Sequence, residues 1–335
     1  MDPVVQAIVS SMRRRVWRRR AWLATGFCVV LACGSRTGLL VDEAFVEDDA
    51  GIDASVPFDA GRDARRDAPR DALPPIDVTP KKDVELKDCP DAAATLVYVI
   101  TEQFELFSFY PPTAQFKQIG LIACPAASGA TPFSMAVDRT GIARVVYNDG
   151  TLFRVSTATA ACQATPFIPG QNGLTTFGMG YASDDVGPGE TLYIAGDGFN
   201  AGPADLASIN TMTYAETRVG PFFPRIQGAE LTGTGGGNLF AFYARMMSTD
   251  PDSFIGQIDK ATGQVIGETR LAGVSQGTGW AFGFWGGDFY MFTTPQFATG
   301  SQVTRYRPND GSIAVVAQLP STIVGAGVST CAPQN

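Results

Sequence analysis

The residues of this chain that could do chemistry are mainly acids, because none of its 335 residues is histidine. The absence of histidine excludes Ser-His-Asp and Cys-His catalysis, His-ligated zinc and the commonest general base at neutral pH. Any reaction would have to use carboxylates, Tyr, Lys, Arg, Ser or Cys. The sequence also lacks a Gly-rich phosphate loop and a Cys-x-x-Cys-His haem motif. We therefore expect no cofactor, with calcium as the one ion that the acids could hold.

Two sets of acids are candidates for a site. Asp184, Asp185 and Glu190 fall in one predicted loop, and Asp197 follows the next predicted strand. Oxygen ligands of this kind could bind calcium, although solvated loop acids have the same pattern. Glu230 stands alone in a strand of small and large residues, where it could bind a cation or act as a general base. The alternative is that its carboxyl group only forms hydrogen bonds with water or with backbone groups.

Trp280 and Trp285 are the only tryptophans after residue 22, and both lie in one short segment. Their rings could stack on a sugar or on an aromatic ligand. The alternative is packing between neighbouring sheets.

The charge balance argues against nucleic acid as a partner. The chain holds 25 Lys and Arg against 33 Asp and Glu, a net charge of −8. Residues 89–335 hold 11 basic and 18 acidic residues, with no basic cluster that could follow phosphates.

The N-terminus has the organisation of an export signal. Six arginines between residues 13 and 20 precede an apolar stretch over 21–32, which is too short to span a bilayer. The stretch ends in Val30-Leu31-Ala32-Cys33-Gly34-Ser35, which resembles the lipobox of bacterial lipoproteins. The alternative, a core helix with a chance cysteine, does not explain the arginines.

This resemblance implies cleavage before Cys33, whose thiol would carry the lipid. It predicts a signal peptide over 1–32, whose start could be Met12, and a lipidated N-terminus over 33–41. By the family's sorting rule, Gly34 after the cysteine favours the outer membrane, at its periplasmic face or at the cell surface. The lipid would make the membrane the first partner of the chain.

Residues 42–88 have the composition of a disordered tether. Asp-Ala pairs alternate with arginine, glycine and proline, and no apolar periodicity is present. A calcium-loop interpretation of these aspartates fails, because the ligand pattern and its bidentate Glu are missing.

The remaining residues, 89–335, contain a repeat of four short strands. The innermost strand alternates small and large residues, the second is aromatic-rich, the third ends in a tight turn, and the fourth follows that turn. The innermost strands fall at residues 133–137, 177–181, 229–233, 280–284 and 324–328. The second strands fall at 96–98, 143–147, 192–194, 239–242 and 289–292. The third begin at 106, 152, 206, 255 and 303, and the fourth lie near 115–121, 162–168, 214–220, 264–271 and 312–319.

The order of these strands predicts a closed ring. The first repeat lacks its innermost strand, and the spare copy stands at the C-terminal end. A final strand that completes the first sheet is how a β-propeller removes its exposed edges. We therefore predict an all-β fold, a β-propeller of five four-stranded blades. A β-sandwich would explain neither the period nor the displaced strand.

Four cysteines follow the predicted lipid anchor: Cys89, Cys124, Cys162 and Cys331. An exported domain meets an oxidising compartment, and four cysteines allow three pairings. Cys331 ends the closing strand and Cys89 leads into its neighbour, so a Cys89–Cys331 bridge would lock the ring. Cys124 would then pair with Cys162. A thiol catalyst is disfavoured, because no basic cluster would lower its pKa.

The stretch from Cys33-Gly-Ser-Arg-Thr-Gly-Leu-Leu40 through the Asp-Ala tether, together with Cys89-Pro-Asp to Cys331-Ala-Pro, resembles lipoproteins of the myxobacterial type. The resemblance implies an envelope location and a C-terminal propeller, and it brings no activity or catalytic residue.

Three functions stay open at this point. The first is a binding or scaffold module for a protein or glycan partner in the envelope. The second is a metal-dependent hydrolase or lyase with its site in the central channel, around Glu230. The third is an accessory role in outer-membrane assembly, which is by analogy with other lipid-anchored propellers.

Overall fold

The computed structural model describes residues 72–81, 89, 95–198, 203–245 and 248–335. These residues form twenty β-strands and two short 3-10 turns, without an α-helix. Within this part of the chain, no helix has the length and apolar character needed to cross a membrane. The predicted signal peptide, Cys33 and most of the predicted tether lie outside the described residues.

The strands, numbered in chain order, form five four-stranded antiparallel sheets, which are the five blades. From the inside outward, blade 1 contains β20 (Ile323–Val328), β1 (Val97–Thr101), β2 (Glu105–Tyr110) and β3 (Gln115–Leu121). Blade 2 contains β4 (Pro132–Val137), β5 (Ile142–Tyr147), β6 (Leu152–Ser156) and β7 (Cys162–Ala164). Blade 3 contains β8 (Phe177–Ser183), β9 (Glu190–Gly196), β10 (Asp205–Ile209) and β11 (Glu216–Pro221). Blade 4 contains β12 (Ile226–Gly233), β13 (Leu239–Arg245), β14 (Ser253–Ile258) and β15 (Val265–Leu271). Blade 5 contains β16 (Gly279–Trp285), β17 (Asp288–Thr294), β18 (Ser301–Arg307) and β19 (Ser312–Leu319).

The predicted ring closure is confirmed. The last strand, β20, pairs antiparallel with β1, with Val97 opposite Val328 and Tyr98 opposite Gly327. Both predicted disulfides are present. Cys89 and Cys331 join the start and end of the propeller across a sequence separation of 242, with a Cα–Cα distance of 5.3 Å.

The second disulfide ties Cys124, in the connection between blades 1 and 2, to Cys162 at the start of β7. The β7 strand is shorter than its predicted extent of 162–168, because it ends before Thr165-Pro166. Proline has no N–H to donate to a sheet. The Thr165 hydroxyl instead donates to the carbonyl oxygen of Leu152.

The alternation of small and large residues on the inner strands sets how the blades approach one another. On β8, Gly178 faces blade 4 so closely that a Cβ there would lie 2.0 Å from the Ala229 carbonyl oxygen. On β16, Phe282 faces blade 4 and stacks on Phe242 with ring centroids 5.7 Å apart. On these two strands, a small residue therefore faces the next blade along the chain and a large residue faces the preceding one.

The hydrophobic core is divided into five clusters, one at each interface between adjacent blades. Each cluster takes side chains from two blades, so no blade buries its faces alone. Because burial of apolar surface is the main stabilising term, the ring is stable only as a whole.

Residues 72–81 form an N-terminal strap that crosses blade 4. The Glu268 N–H of β15 donates to the Pro74 carbonyl at 2.7 Å, and the Lys81 N–H donates to the Gly236 carbonyl at 2.8 Å. Leu73, Ile76 and Val78 are half-buried against the clusters on the two sides of blade 4. This part of the predicted tether is therefore packed on the propeller, because its three apolar side chains find apolar surface there.

Candidate functional site

Glu230 lies in the central channel, where a bulge in β12 places it. The register passes from Gln227 opposite Ala244 to Glu230 opposite Phe242, so two residues of β12 face one residue of β13. Gly228, in the bulge, has a φ of 58°, a conformation that favours glycine. Bulges of this kind redirect a side chain and are frequent beside functional sites.

The Glu230 side chain is 3% exposed and reaches across the channel from blade 4 to blade 2. The Ser134 hydroxyl donates to Glu230 Oε2 at 2.8 Å, and the backbone N–H of Met179, in blade 3, also donates to this carboxyl group. Burial raises the pKa of Glu230 well above its ordinary value of 4.5, and the two hydrogen bonds only partly oppose this. The group therefore favours its protonated form, which can itself donate a hydrogen bond.

A cavity of about 280 Å³ opens above Glu230 and brings it together with Trp280. These two residues are separate candidates in the sequence, and the structure places both in one lining. Its apolar members include Phe133, Trp280 and Val324, and its polar members are Glu102, Thr131, Asn148, Thr278 and Glu230. None of these described lining residues is lysine or arginine.

The β12 bulge also fixes Trp280. The carbonyl oxygen of Gly228 accepts the indole N–H of Trp280 at 2.8 Å and the side-chain amide of Gln276 at 2.6 Å. The N–H of Trp280 is thus used inside the protein, while its partly exposed ring lines the cavity. One backbone distortion therefore positions both the carboxyl group and the aromatic surface.

Trp285 lies at the other end of β16 and away from this cavity. Its indole N–H donates to the Thr95 carbonyl at 2.7 Å, and its ring packs edge-on against Tyr110 with centroids 6.2 Å apart. It is half-buried against the cluster between blades 5 and 1. Trp285 therefore packs between neighbouring sheets, which is the alternative to stacking on a ligand.

The predicted acidic loop is joined to basic and hydroxyl groups. Asp185 forms ion pairs with Lys81 of the strap at 2.8 Å and with Lys260 at 2.7 Å. Burial works against ionisation of Asp185, but the hydrogen bonds from Lys260 and Lys81 outweigh it, and the pKa is lowered. Asp184 accepts the Thr191 hydroxyl at 2.7 Å.

Glu190 is held by a different partner, Arg139. The Arg139 backbone N–H donates to Glu190 Oε1 at 2.9 Å, and the Thr330 hydroxyl donates to Oε2 at 2.7 Å. Asp197 stands at the opposite end of β9, where Thr176 donates to its Oδ2 at 2.7 Å. The structure thus separates Asp197 from the other three acids. Among the described residues, no group of three or more Cys, Asp or Glu side chains is arranged to hold a metal ion.

Several lining residues were not identified from the sequence. Phe133 and Asn148 come from the start of β4 and from the turn after β5. Asn148-Asp149-Gly150 is an ordinary turn motif, so its sequence signals only a turn. Only the ring closure shows that this turn faces the channel.

Comparison with known proteins supports no family assignment. No family model matches the chain, and no curated protein matches it. Among solved structures, a nidogen/laminin complex chain has a TM-score of 0.45 at 10% identity, over 71% of this chain and 99% of that one. TolB from Acinetobacter baumannii has a TM-score of 0.40 at 16% identity, over 68% and 54%. The tricorn protease has a TM-score of 0.33 at 10% identity, over 66% and 25%. The fold assignment rests on the sheet topology alone.

Proposed function

We propose that this chain is a binding module of the cell envelope whose channel cavity takes the end of a neutral glycan. The observation that carries the proposal is the shared lining of Glu230 and Trp280 in one cavity of about 280 Å³. Its volume is just below the range of about 300–1,000 Å³ for sites that take drug-sized ligands, which suits one sugar residue.

The chemistry of the lining favours an uncharged ligand with many hydroxyl groups. Trp280 and Phe133 offer aromatic surface, against which the C–H face of a sugar ring can pack. Asn148, Thr131 and Thr278 offer hydrogen-bonding groups, and a protonated Glu230 adds a donor at the base. With no lysine or arginine in the lining, a phosphate or carboxylate ligand would lack a counter-charge.

The surroundings of Glu230 support binding rather than metal-dependent catalysis. A catalytic metal needs several ligand atoms around one point and an open coordination position. The contacts described for Glu230 are a serine hydroxyl and a backbone N–H, and both donate hydrogen bonds. Such donors complete the hydrogen bonding of a carboxyl group rather than a metal site.

The two disulfides indicate an extracytoplasmic protein. The finer location is part of the proposal: an anchor at Cys33 would hold the propeller at the outer membrane. The basis for this step is the export signal and its lipobox-like ending.

The test is binding of the purified mature full chain to an array of neutral glycans, with calorimetry on those that bind. We expect Trp280→Ala to weaken binding about tenfold, equivalent to roughly 1.4 kcal/mol of lost contact. Trp285→Ala is the matched control, since it also removes an indole bonded to a backbone carbonyl but lies outside the cavity. Asn148→Ala is a second variant in case Trp280→Ala fails to fold.

Three outcomes would contradict the proposal. The first is an array without a bound neutral glycan. The second is equal binding by the wild type, Trp280→Ala and Asn148→Ala. The third is shortening of a bound oligosaccharide on incubation, with loss of that activity on chelation, which would favour the metal-dependent hydrolase instead.

A further inference from the structure

A second cavity, of about 510 Å³, lies on the outer side of blade 5. The loop between β17 and β18, residues 295–300, forms part of its lining, and the start of β18, the end of β19 and Pro320 form the rest. Its polar members are Thr299, Ser301, Gln302 and Gln318, and it contains no charged residue. Hydroxyl and amide groups beside apolar surface again suit a neutral ligand with hydroxyl groups.

A backbone hydrogen bond connects the lining of this cavity with the lining of the one above Glu230. Thr278, which lines the first cavity, donates its N–H to the Thr294 carbonyl at 2.9 Å, and Pro295, the next residue, lines the second. The approach is so close that a Cβ on Gly277 would lie 1.9 Å from Thr294 O. A ligand leaving the first cavity over this stretch of backbone would enter the second.

Phe297 lies on the 295–300 loop and lines the second cavity. Its side chain is 92% exposed, the most exposed of the large apolar side chains in the described residues. Its φ of 70° is in the left-handed region, which is energetically unfavourable for a bulky residue. A strained backbone that presents an aromatic ring to solvent is a feature that clusters at ligand sites.

We propose that the second cavity is a further subsite and that Phe297 is its stacking platform. The ligand is then a neutral oligosaccharide that crosses the 295–300 loop, with one end above Glu230. This inference rests on the proposed function and adds to it the minimum length of the ligand. Phe297 is a specificity-determining residue in this arrangement, because it contacts only ligands long enough to reach it.

The test uses the mature full chain and two size series, β-1,4-linked N-acetylglucosamine oligomers and α-1,4-linked glucose oligomers, each from one to six residues. For the series that binds, we expect affinity to rise at least tenfold between one residue and four or more. Phe297→Ala should remove most of that rise and leave the affinity for the monosaccharide unchanged. Because the ring is exposed, this variant should fold normally. Phe223→Ala is the matched control, since Phe223 is also exposed and lines neither cavity.

The two proposals fail in different ways. If affinity does not depend on length, or if Phe297→Ala and the wild type bind long oligomers equally, the second subsite is wrong and the first cavity stands. If neither series binds to the wild type and the glycan array is also blank, the proposed function itself is overturned. Loss of binding of every length in Phe297→Ala would also contradict the subsite, because the monosaccharide does not reach that ring.

Discussion

At the scale of single residues, Glu230 shows how burial sets the pKa of a carboxyl group. The same carboxyl group on a solvated loop would ionise below neutral pH, but removal from water penalises its charged form. The Ser134 hydroxyl and the Met179 N–H recover part of that cost. The result is a carboxyl group with a raised pKa, in the lining of a cavity that contains no lysine or arginine.

The raised pKa of Glu230 predicts a pH dependence of stability. Below pH 4.5 the carboxyl group is protonated in both the folded and the unfolded chain, and its contribution to stability is fully present. As the pH rises, the unfolded chain ionises first, because the folded pKa is the higher one, so stability falls until the folded pKa is passed. Glu230→Gln removes this dependence. We expect the Tm of Glu230→Gln minus the Tm of the wild type to be larger at pH 8 than at pH 4 by at least 2 °C.

Glu216 provides an internal comparison, measured by the same thermal melts. Burial raises the pKa of Glu216 to about 7, with Asn172 opposing the shift by a hydrogen bond to Oε1. The Tm difference between Glu216→Gln and the wild type should therefore develop between pH 4.5 and about 7 and then level off. A Tm difference for Glu230→Gln that is constant with pH would show that the pKa of Glu230 is the same in the folded and the unfolded protein.

At the scale of elements, the strap acts as an extra covering on blade 4. Its backbone bonds to β15 and to the Gly236 turn, and Ile76 and Val78 pack against the cluster between blades 4 and 5. The ion pair between Lys81 and Asp185 then connects it to blade 3. Residues 72–81 thus join the chain's N-terminal part to the propeller without adding a strand.

Replacing Ile76 and Val78 together by serine, in Ile76→Ser/Val78→Ser, should detach the strap. Half-burial of two aliphatic side chains corresponds to about 1–2 kcal/mol, so the free energy of unfolding should fall by roughly that amount in urea melts. The Glu268 amide should also exchange hydrogen faster, because it loses the Pro74 carbonyl. Amides of β17, which the strap does not bond, serve as the control. Unchanged exchange at Glu268 would mean that the strap is held by its backbone alone.

The inner strands show what a local pattern can and cannot convey. The small and large alternation predicted each inner strand to within three residues of its bounds. In the structure, Gly178 is small because the backbone of blade 4 lies against it. A pattern in one strand does not show which neighbour it faces.

At the scale of the whole molecule, the predicted anchor would determine where this acidic protein resides. Residues 1–32 include six arginines and one aspartate, so the mature chain would keep 19 basic and 32 acidic residues. Such a chain has little electrostatic attraction to anionic lipid headgroups. Retention at the membrane would then depend on the lipid at Cys33.

Cys33→Ala should therefore move the protein from the membrane fraction to the soluble periplasmic fraction. The propeller should keep its Tm, because Cys33 is outside residues 89–335. Cys28→Ala, which changes the other cysteine of this region, is the control and should stay with the membrane. Retention of Cys33→Ala in membranes after a carbonate wash would refute the lipid anchor.

The sequence by itself determined the architecture of this protein. Period, strand pattern and the displaced last strand are local features, and ring closure follows from them because open sheet edges are unfavourable. The cysteines at the two ends of the ring then had a favoured pairing.

Tertiary structure alone decided the candidate site. Glu230, Trp280, Phe133 and Asn148 come from three blades, and their meeting depends on the bulge in β12 and on how closely glycines let the blades approach. Those are properties of packing between distant segments, which no single strand's pattern contains.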